Sequence, residues 1–226
     1  MKADKQFDFY EFAGIVMPGA ILLVGLTQVS PKIAAVIPSK DMSLGNLGVF
    51  LILAYAAGHL LQAAGNLVEN LWWYLPGMPT DWVRTDTGHL LSPGQRSTLQ
   101  EQLPAKLGLS SSFSFDNVDP KAWFGITRQV YAAVAAAGRS GRVDTFNGNY
   151  GLNRGLGASL LIVAIILLTD DRSNWPYAIG LAAAALAALY RMHRFGRHYA
   201  RELFVQFLQL PIPPENPQKK AVITEA

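Results

Sequence analysis

The 226-residue chain contains no cysteine. That excludes disulfides, thiol nucleophiles and cysteine-ligated zinc, and leaves the compartment open. Charge is scarce as well. Asp, Glu, Lys and Arg make up 15% of the residues, against about 25% in an ordinary soluble domain. Histidines number four, and His193 and His198 stand five apart, which is not the i, i+4 pair of a helical metal site. No H-E-x-x-H, paired-Asp or Gly-rich phosphate motif is present; "GRSGRVD" has the glycines without a strand–loop–helix setting. His59 has no nearby Ser or Asp arranged as in a nucleophilic triad. The chain therefore reads as a non-enzyme, with no catalytic residue, no metal site and no cofactor. The net charge is +3 and the pI about 9.2. No Lys/Arg block is interleaved with aromatics, so nucleic acid is not an expected partner. A positive charge of this size follows from membrane topology alone. No stretch of any length alternates with the period of a strand.

What the chain does have is apolar sequence. Half of its residues are hydrophobic and its mean hydropathy is +0.19. They are clustered. Phe12–Val29, "FAGIVMPGAILLVGLTQV", carries no charge over 18 residues. Residues 46–68 form a second apolar run. Residues 155–169, "GLGASLLIVAIILLT", form a third that reaches span length once 151–154 are included. Residues 176–190, "PYAIGLAAAALAALY", are an Ala-rich fourth that continues into a charged helix. A span needs about 20 residues. The expectation is an all-α membrane protein with four transmembrane helices. The first run could be a signal peptide. It is longer than a typical h-region, Asp8 and Glu11 precede it, and Ser30, Pro31 and Lys32 make no small-x-small cleavage site, which favours an uncleaved span.

Basic residues set the predicted orientation. Segments 1–11, 69–154 and 191–226 hold 2, 8 and 6 Lys/Arg, whereas the loops 30–45 and 170–175 hold only Lys32, Lys40 and Arg172. Long loops obey the positive-inside rule poorly, but the short flanks agree with it. Both termini and the central segment are thus expected in the cytoplasm of a bacterial inner-membrane protein. The expected organisation is a terminus and transmembrane hairpin over 1–74 and a mainly helical cytoplasmic insertion over 75–150. A second hairpin, with a cytoplasmic extension of helix four, covers 151–210, and a Pro-rich disordered tail covers 211–226.

Within the insertion, "YLPGMPTDWVRTDTGHLLSPG" reads as ordered turns. Ser92 is the predicted N-cap of a short helix with Pro93 in its first turn, ending near Pro104 or Gly108. "SSSFSFDNVD" reads as a loop. Asp119-Pro120 starts a helix in which Trp123, Ile126, Val130, Tyr131 and Val134 follow helical spacing. "GRSGRVDTFNGNYGLNRG" is expected to link that helix to span three. Beyond the fourth span, Arg191, Arg194, His198 and Arg201 share one helical face, and Met192, Phe195, Tyr199 and Leu203 another. The basic face is either a positive-inside anchor or a surface for anionic lipid, a nucleotide signal or an acidic protein partner.

Helix two carries a polar stripe. His59, Gln62, Asn66 and Glu69 stand at i, i+3, i+7 and i+10, flanked by Gly58 and Gly65 where another backbone can approach. On span three, Gly151, Gly155 and Ser159 make small-xxx-small steps beside Asn153 and Arg154. Glu69 and Arg154 lie at comparable depth in this topology and are expected to pair. The stripe is either helix–helix glue or the lining of a water-filled path through a homo-oligomer.

Three stretches carry a resemblance: "FDFYEFAGIVMPGAILLVGL", "YAAGHLLQAAGNLVE", and "FNGNYGLNRGLGASLLI" followed by "RMHRFGRHYARELFVQF". Together they resemble a loose group of uncharacterised bacterial four-pass membrane proteins, some of which accompany anti-phage defence genes as membrane-disrupting effectors. The resemblance implies an oligomeric effector or channel-like component that perturbs the lipid bilayer when a cytoplasmic protein or nucleotide signal acts on residues 75–150 or the 191–201 face. The alternative is a non-conducting anchor that docks a cytoplasmic partner.

Overall fold

The computed structural model describes residues 9–37, 43–110 and 112–212. Among them are α1 (Phe9–Val29), α2 (Pro31–Val36), α3 (Leu44–Trp73), α4 (Pro79–Thr85), α5 (Pro93–Leu107), α6 (Pro120–Ala136), α7 (Gly141–Asp170) and α8 (Trp175–Leu208). Single 3₁₀ turns lie at Thr87–His89 and Arg172–Asn174, and no strand occurs among the described residues. Most of the predicted tail over 211–226 lies outside them.

The chain divides into two compact units. The first comprises Met1–Met78 and Val143–Tyr199; the second comprises Pro79–Arg142 and Ala200–Ala226. The end of α8, which the sequence placed with the second hairpin, therefore belongs to the second unit.

Local chemistry fixes the helix ends. Ser43 caps α3, its hydroxyl accepting from the Asn46 N–H at 3.3 Å. Ser92 and Gln95 form a reciprocal capping box at the start of α5, with Pro93 in the first turn where no N–H is needed. That helix ends at Gly108, whose φ of 66° a side chain would oppose. Pro104, the other predicted end, lies inside α5. Asp119 Oδ1 accepts from the N–H groups of Lys121 at 2.8 Å and Ala122 at 3.2 Å and so starts α6. The segment expected to link α6 to span three is instead largely helix, since α7 begins at Gly141. Its asparagines bond along their own helix: Asn149 Nδ2 donates to the Thr145 carbonyl at 2.9 Å and Asn153 Nδ2 to that of Asn149 at 2.7 Å. Val143 is fully buried there. The predicted turns after α3 likewise contain α4.

Three helices are long and apolar enough to cross a membrane: α1 over Phe12–Val29, α3 and α7. The fourth apolar stretch, 176–190, is the first part of α8 and passes directly into Arg191 and Arg194; it does not join those three. In the first unit these helices meet through small residues. A Cβ at Gly19 of α1 would overlap the Ala54 carbonyl of α3, and one at Gly58 of α3 would overlap the Ile15 carbonyl of α1. Backbone contact of this kind replaces the hydrophobic drive that lipid removes. Val16, Leu23, Ile37 and Ala54 form the buried centre of this packing. On the side of α1 facing α7, a Cβ at Gly155 would stand 2.8 Å from the Pro18 ring and 3.5 Å from the Gly14 carbonyl. That carbonyl is the one Pro18, lacking an N–H, cannot serve. One turn on, the buried Ser159 Oγ donates to the Pro18 carbonyl at 2.8 Å. The small-xxx-small steps of α7 thus seat α1, with Gly155 and Ser159 in contact and nothing within 4 Å of a Cβ at Gly151.

The second unit packs as a soluble domain does. Trp123 of α6 is fully buried, stacked on Phe204 at 5.6 Å and met edge-on by Phe115 at 5.7 Å. Its indole N–H donates to the Thr80 carbonyl at 3.0 Å. Ile126, Val130 and Val134 follow Trp123 into the core, whereas Tyr131 is 37% exposed. Arg96 lies over Phe115 and donates to the carbonyls of Val83 and Arg84. Lys106 Nζ donates to the carbonyls of Phe207 and Leu208 at 3.0 and 3.1 Å, closing the end of α8 with a cation where the helix dipole is negative. Burial holds the Lys106 pKa below the usual lysine range.

Candidate functional site

The predicted stripe on α3 splits in two. Gln62 and Glu69 turn toward α7 and are partly buried, whereas His59 and Asn66 are exposed. Residues seven apart keep nearly the same bearing on a helix, so each pair stays together while the two pairs diverge by some 60°.

The inward pair meets Arg154. One Arg154 Nη donates to Glu69 Oε2, and the other donates to Gln62 Oε1 at 2.7 Å. The aliphatic stem lies across Gly65, where a Cβ would sit 3.5 Å from both Cγ and Nε, in ordinary van der Waals contact. Arg154 Nε, facing that glycine, has no hydrogen-bond partner. The other Glu69 oxygen accepts from the Tyr150 hydroxyl at 2.7 Å, and that hydroxyl accepts from the Trp73 indole N–H at 2.8 Å. Each Glu69 oxygen thus has a donor, and two of the three Arg154 nitrogens have an acceptor. A partly buried ion pair persists only with such additional bonds.

At the same end of α3, Trp73 stacks on His193 of α8 at 4.8 Å. Trp72 donates its indole N–H to His193 Nδ1 at 3.3 Å. Nδ1 as an acceptor requires the neutral imidazole. Burial first, then the Arg197 charge, keeps the His193 pKa below its usual value. Gln62, Glu69, Trp72, Trp73, Tyr150, Arg154 and His193 therefore make one polar and aromatic cluster joining α3, α7 and α8. Tyr150, both tryptophans and His193 were missed in the sequence. A signal was present for two of them: Trp73 stands four residues after Glu69 and Tyr150 four before Arg154, one turn from each charge.

The outward pair has different surroundings. His59 packs edge-on against Tyr55 of its own helix at 4.5 Å, and Tyr55 stacks on Phe12 at 6.4 Å. Neither His59 nor Asn66 hydrogen-bonds to a described side chain. The stripe is therefore not brought together as one site.

Arg191, Arg194 and His198 are exposed in the first unit, as is Arg197, which falls on the same side of α8. Arg191 lies over Phe195, and His198 stacks on Phe146 of α7 at 5.4 Å. Arg201 belongs to the second unit, where it lines an open depression with Asp86, His89 and Gln95. Met192 and Leu203 are fully buried, and Phe195 and Tyr199 partly so. Among the described residues no three His, Asp or Glu side chains converge as metal ligands would. Comparison with protein-family models, curated proteins and solved structures finds no match to this chain.

Proposed function

We propose that the chain is a four-span bacterial inner-membrane protein, with both termini in the cytoplasm, that anchors a cytoplasmic helical unit for docking a protein partner. The observation that carries this reading is the internal pairing of Glu69 with Arg154, Gln62 and Tyr150. The charged part of the stripe is engaged within one protomer as packing, leaving no charge along α3 to line a path. The three apolar helices, the 176–190 stretch of α8 and the distribution of Lys and Arg support the topology. The exposed Arg191, Arg194 and Arg197 favour an acidic partner.

A second reading is favoured by the exposed His59 and Asn66. It is the oligomeric effector or channel-like component, in which these side chains border a path between copies and a cytoplasmic signal opens it. Its setting in anti-phage defence rests on sequence resemblance alone. Membrane potential in expressing cells separates the two, with wild type beside His59→Ala and Asn66→Leu at equal membrane levels. The anchor leaves every culture polarised. Depolarisation by wild type that either substitution abolishes would replace it with the effector.

A further inference from the structure

The face of α3 that meets neither α1 nor α7 has its own regularity. Ile52, Ala56, His59, Ala63, Asn66 and Asn70 are all exposed, and their spacing alternates between four and three residues. That is the a/d seam of a left-handed pair of helices. On the flank of the seam stand the exposed Leu60, Leu67 and Leu71, suited to lipid. The seam itself is small and polar. In a 30-residue helix running from Leu44 to Trp73, His59 falls at the middle, so a membrane-spanning α3 holds it near the bilayer centre. Asn66 lies two turns nearer the Trp72–Trp73 end. A polar side chain at that depth is costly against hydrocarbon unless a partner takes its hydrogen bonds.

We infer that this seam pairs with the same seam of a second copy of the chain, giving a parallel α3–α3 homodimer with His59 opposite His59 and Asn66 opposite Asn66. Three considerations select a second copy. Copies inserted with one topology necessarily run parallel, so equal positions meet at equal depth. A carboxamide carries both donors and an acceptor, so asparagine complements itself across a two-fold axis, as does a neutral imidazole. The seam also contains no Lys, Arg, Asp or Glu that a two-fold axis would oppose to itself. Ala56 and Ala63 allow the close approach that such bonds require. The face is distinct from those used inside the protomer, because Gly58 receives α1 and Gly65 receives Arg154. The inference rests on α3 spanning the membrane and not on whether the protein conducts.

The chain has no native thiol, so single cysteines report directly. Ala56→Cys and Ala63→Cys on the seam, and Leu60→Cys and Leu71→Cys on the flank, are oxidised in native membranes. A disulfide needs Cα atoms within about 7 Å, so the seam positions should give covalent dimer about tenfold more readily than the flank. Adding His59→Leu and Asn66→Leu to Ala63→Cys should lower that yield roughly three- to tenfold. Equal yields at all four positions, dimer only from the flank, or no dimer overturns the pairing. Full seam cross-linking that survives both leucine substitutions overturns the role given to the polar pair. Leu60→Cys, at the depth of His59, also reports the span. Labelling of intact membranes by an impermeant maleimide overturns the span and the inference with it. Protection without seam dimer overturns the inference alone.

Discussion

Two flanks of α3 treat the same kind of side chain in opposite ways. Toward α7, Gln62 and Glu69 are held by Arg154 and Tyr150. Some 60° around the helix, His59 and Asn66 are exposed and hydrogen-bond to no described side chain. Both pairs repeat at seven residues, and both were legible as one stripe. What separates them is the neighbour: Arg154 of α7 lies across Gly65 on one flank, and no described helix covers the other. Polarity in an apolar helix therefore falls into two settings here, one engaged inside the protomer and one exposed.

The largest way to break this contrast is to remove Arg154. Arg154→Ala leaves the Glu69 carboxylate partly buried without its cation, and should cost about 3–5 kcal/mol in detergent unfolding. Exchanging the charges, Glu69→Arg with Arg154→Glu, should recover part of that loss. A double variant no better than either single one would show that the pair does not register the helices.

Next in size are the glycines. Gly19→Ala or Gly58→Ala pushes a methyl group into facing backbone and should cost about 1–3 kcal/mol. Gly45→Ala and Gly48→Ala, with open space at the Cβ, should be neutral or slightly stabilising in the same assay. Equal losses at all four would mean that contact at the Cβ does not decide the effect, since the exchange raises helix propensity at each of them.

A smaller effect is expected from pH. Histidine titrates near 6.5 when unfolded, and burial and Arg197 hold His193 below that in the folded chain. The unfolded state then binds the proton more readily, so stability rises with pH across the interval between the two values. The contribution is complete above about pH 6.5 and is lost as the pH falls from there through the folded value. His193→Gln should flatten that part of the stability profile; an unchanged slope would assign it to another group. The smallest change is expected on the outer flank. His59→Leu and Asn66→Leu should alter unfolding of the dilute protomer by no more than about 0.5 kcal/mol. A loss there comparable to that of Arg154→Ala would erase the distinction between the flanks.

Much of this was readable because it is local or repetitive. The apolar runs mark α1, α3 and α7, the last only once 151–154 are counted with 155–169, and Ser92 and Asp119 announce their helices by side-chain chemistry that acts within three residues. The Glu69–Arg154 pair was found by matching depth. The start of α7 was obscured by the glycines and asparagines of "GRSGRVDTFNGNYG", whose turn preference is overridden by asparagine bonds to carbonyls one turn back and by burial of Val143. The division of the stripe was hidden for a different reason. A helical wheel gives bearings within one helix, but only the position of α1 and α7 decides which bearing is inside. The partnership of Trp72 and Trp73 with His193 joins residues about 120 positions apart, beyond any local rule.

The hydroxyl of Ser159 and the carbonyl of Pro18 are separated by 141 residues. A ribosome adding about 5–20 residues per second delivers the serine roughly 7–30 s after the proline. Gly19 and Gly58 are available to each other much earlier. If these helices span a bilayer, α1 and α3 can pair before α7 is made, and for that interval the side of α1 bearing Pro18 is covered by lipid or by the insertion machinery instead of by Gly155 and Ser159.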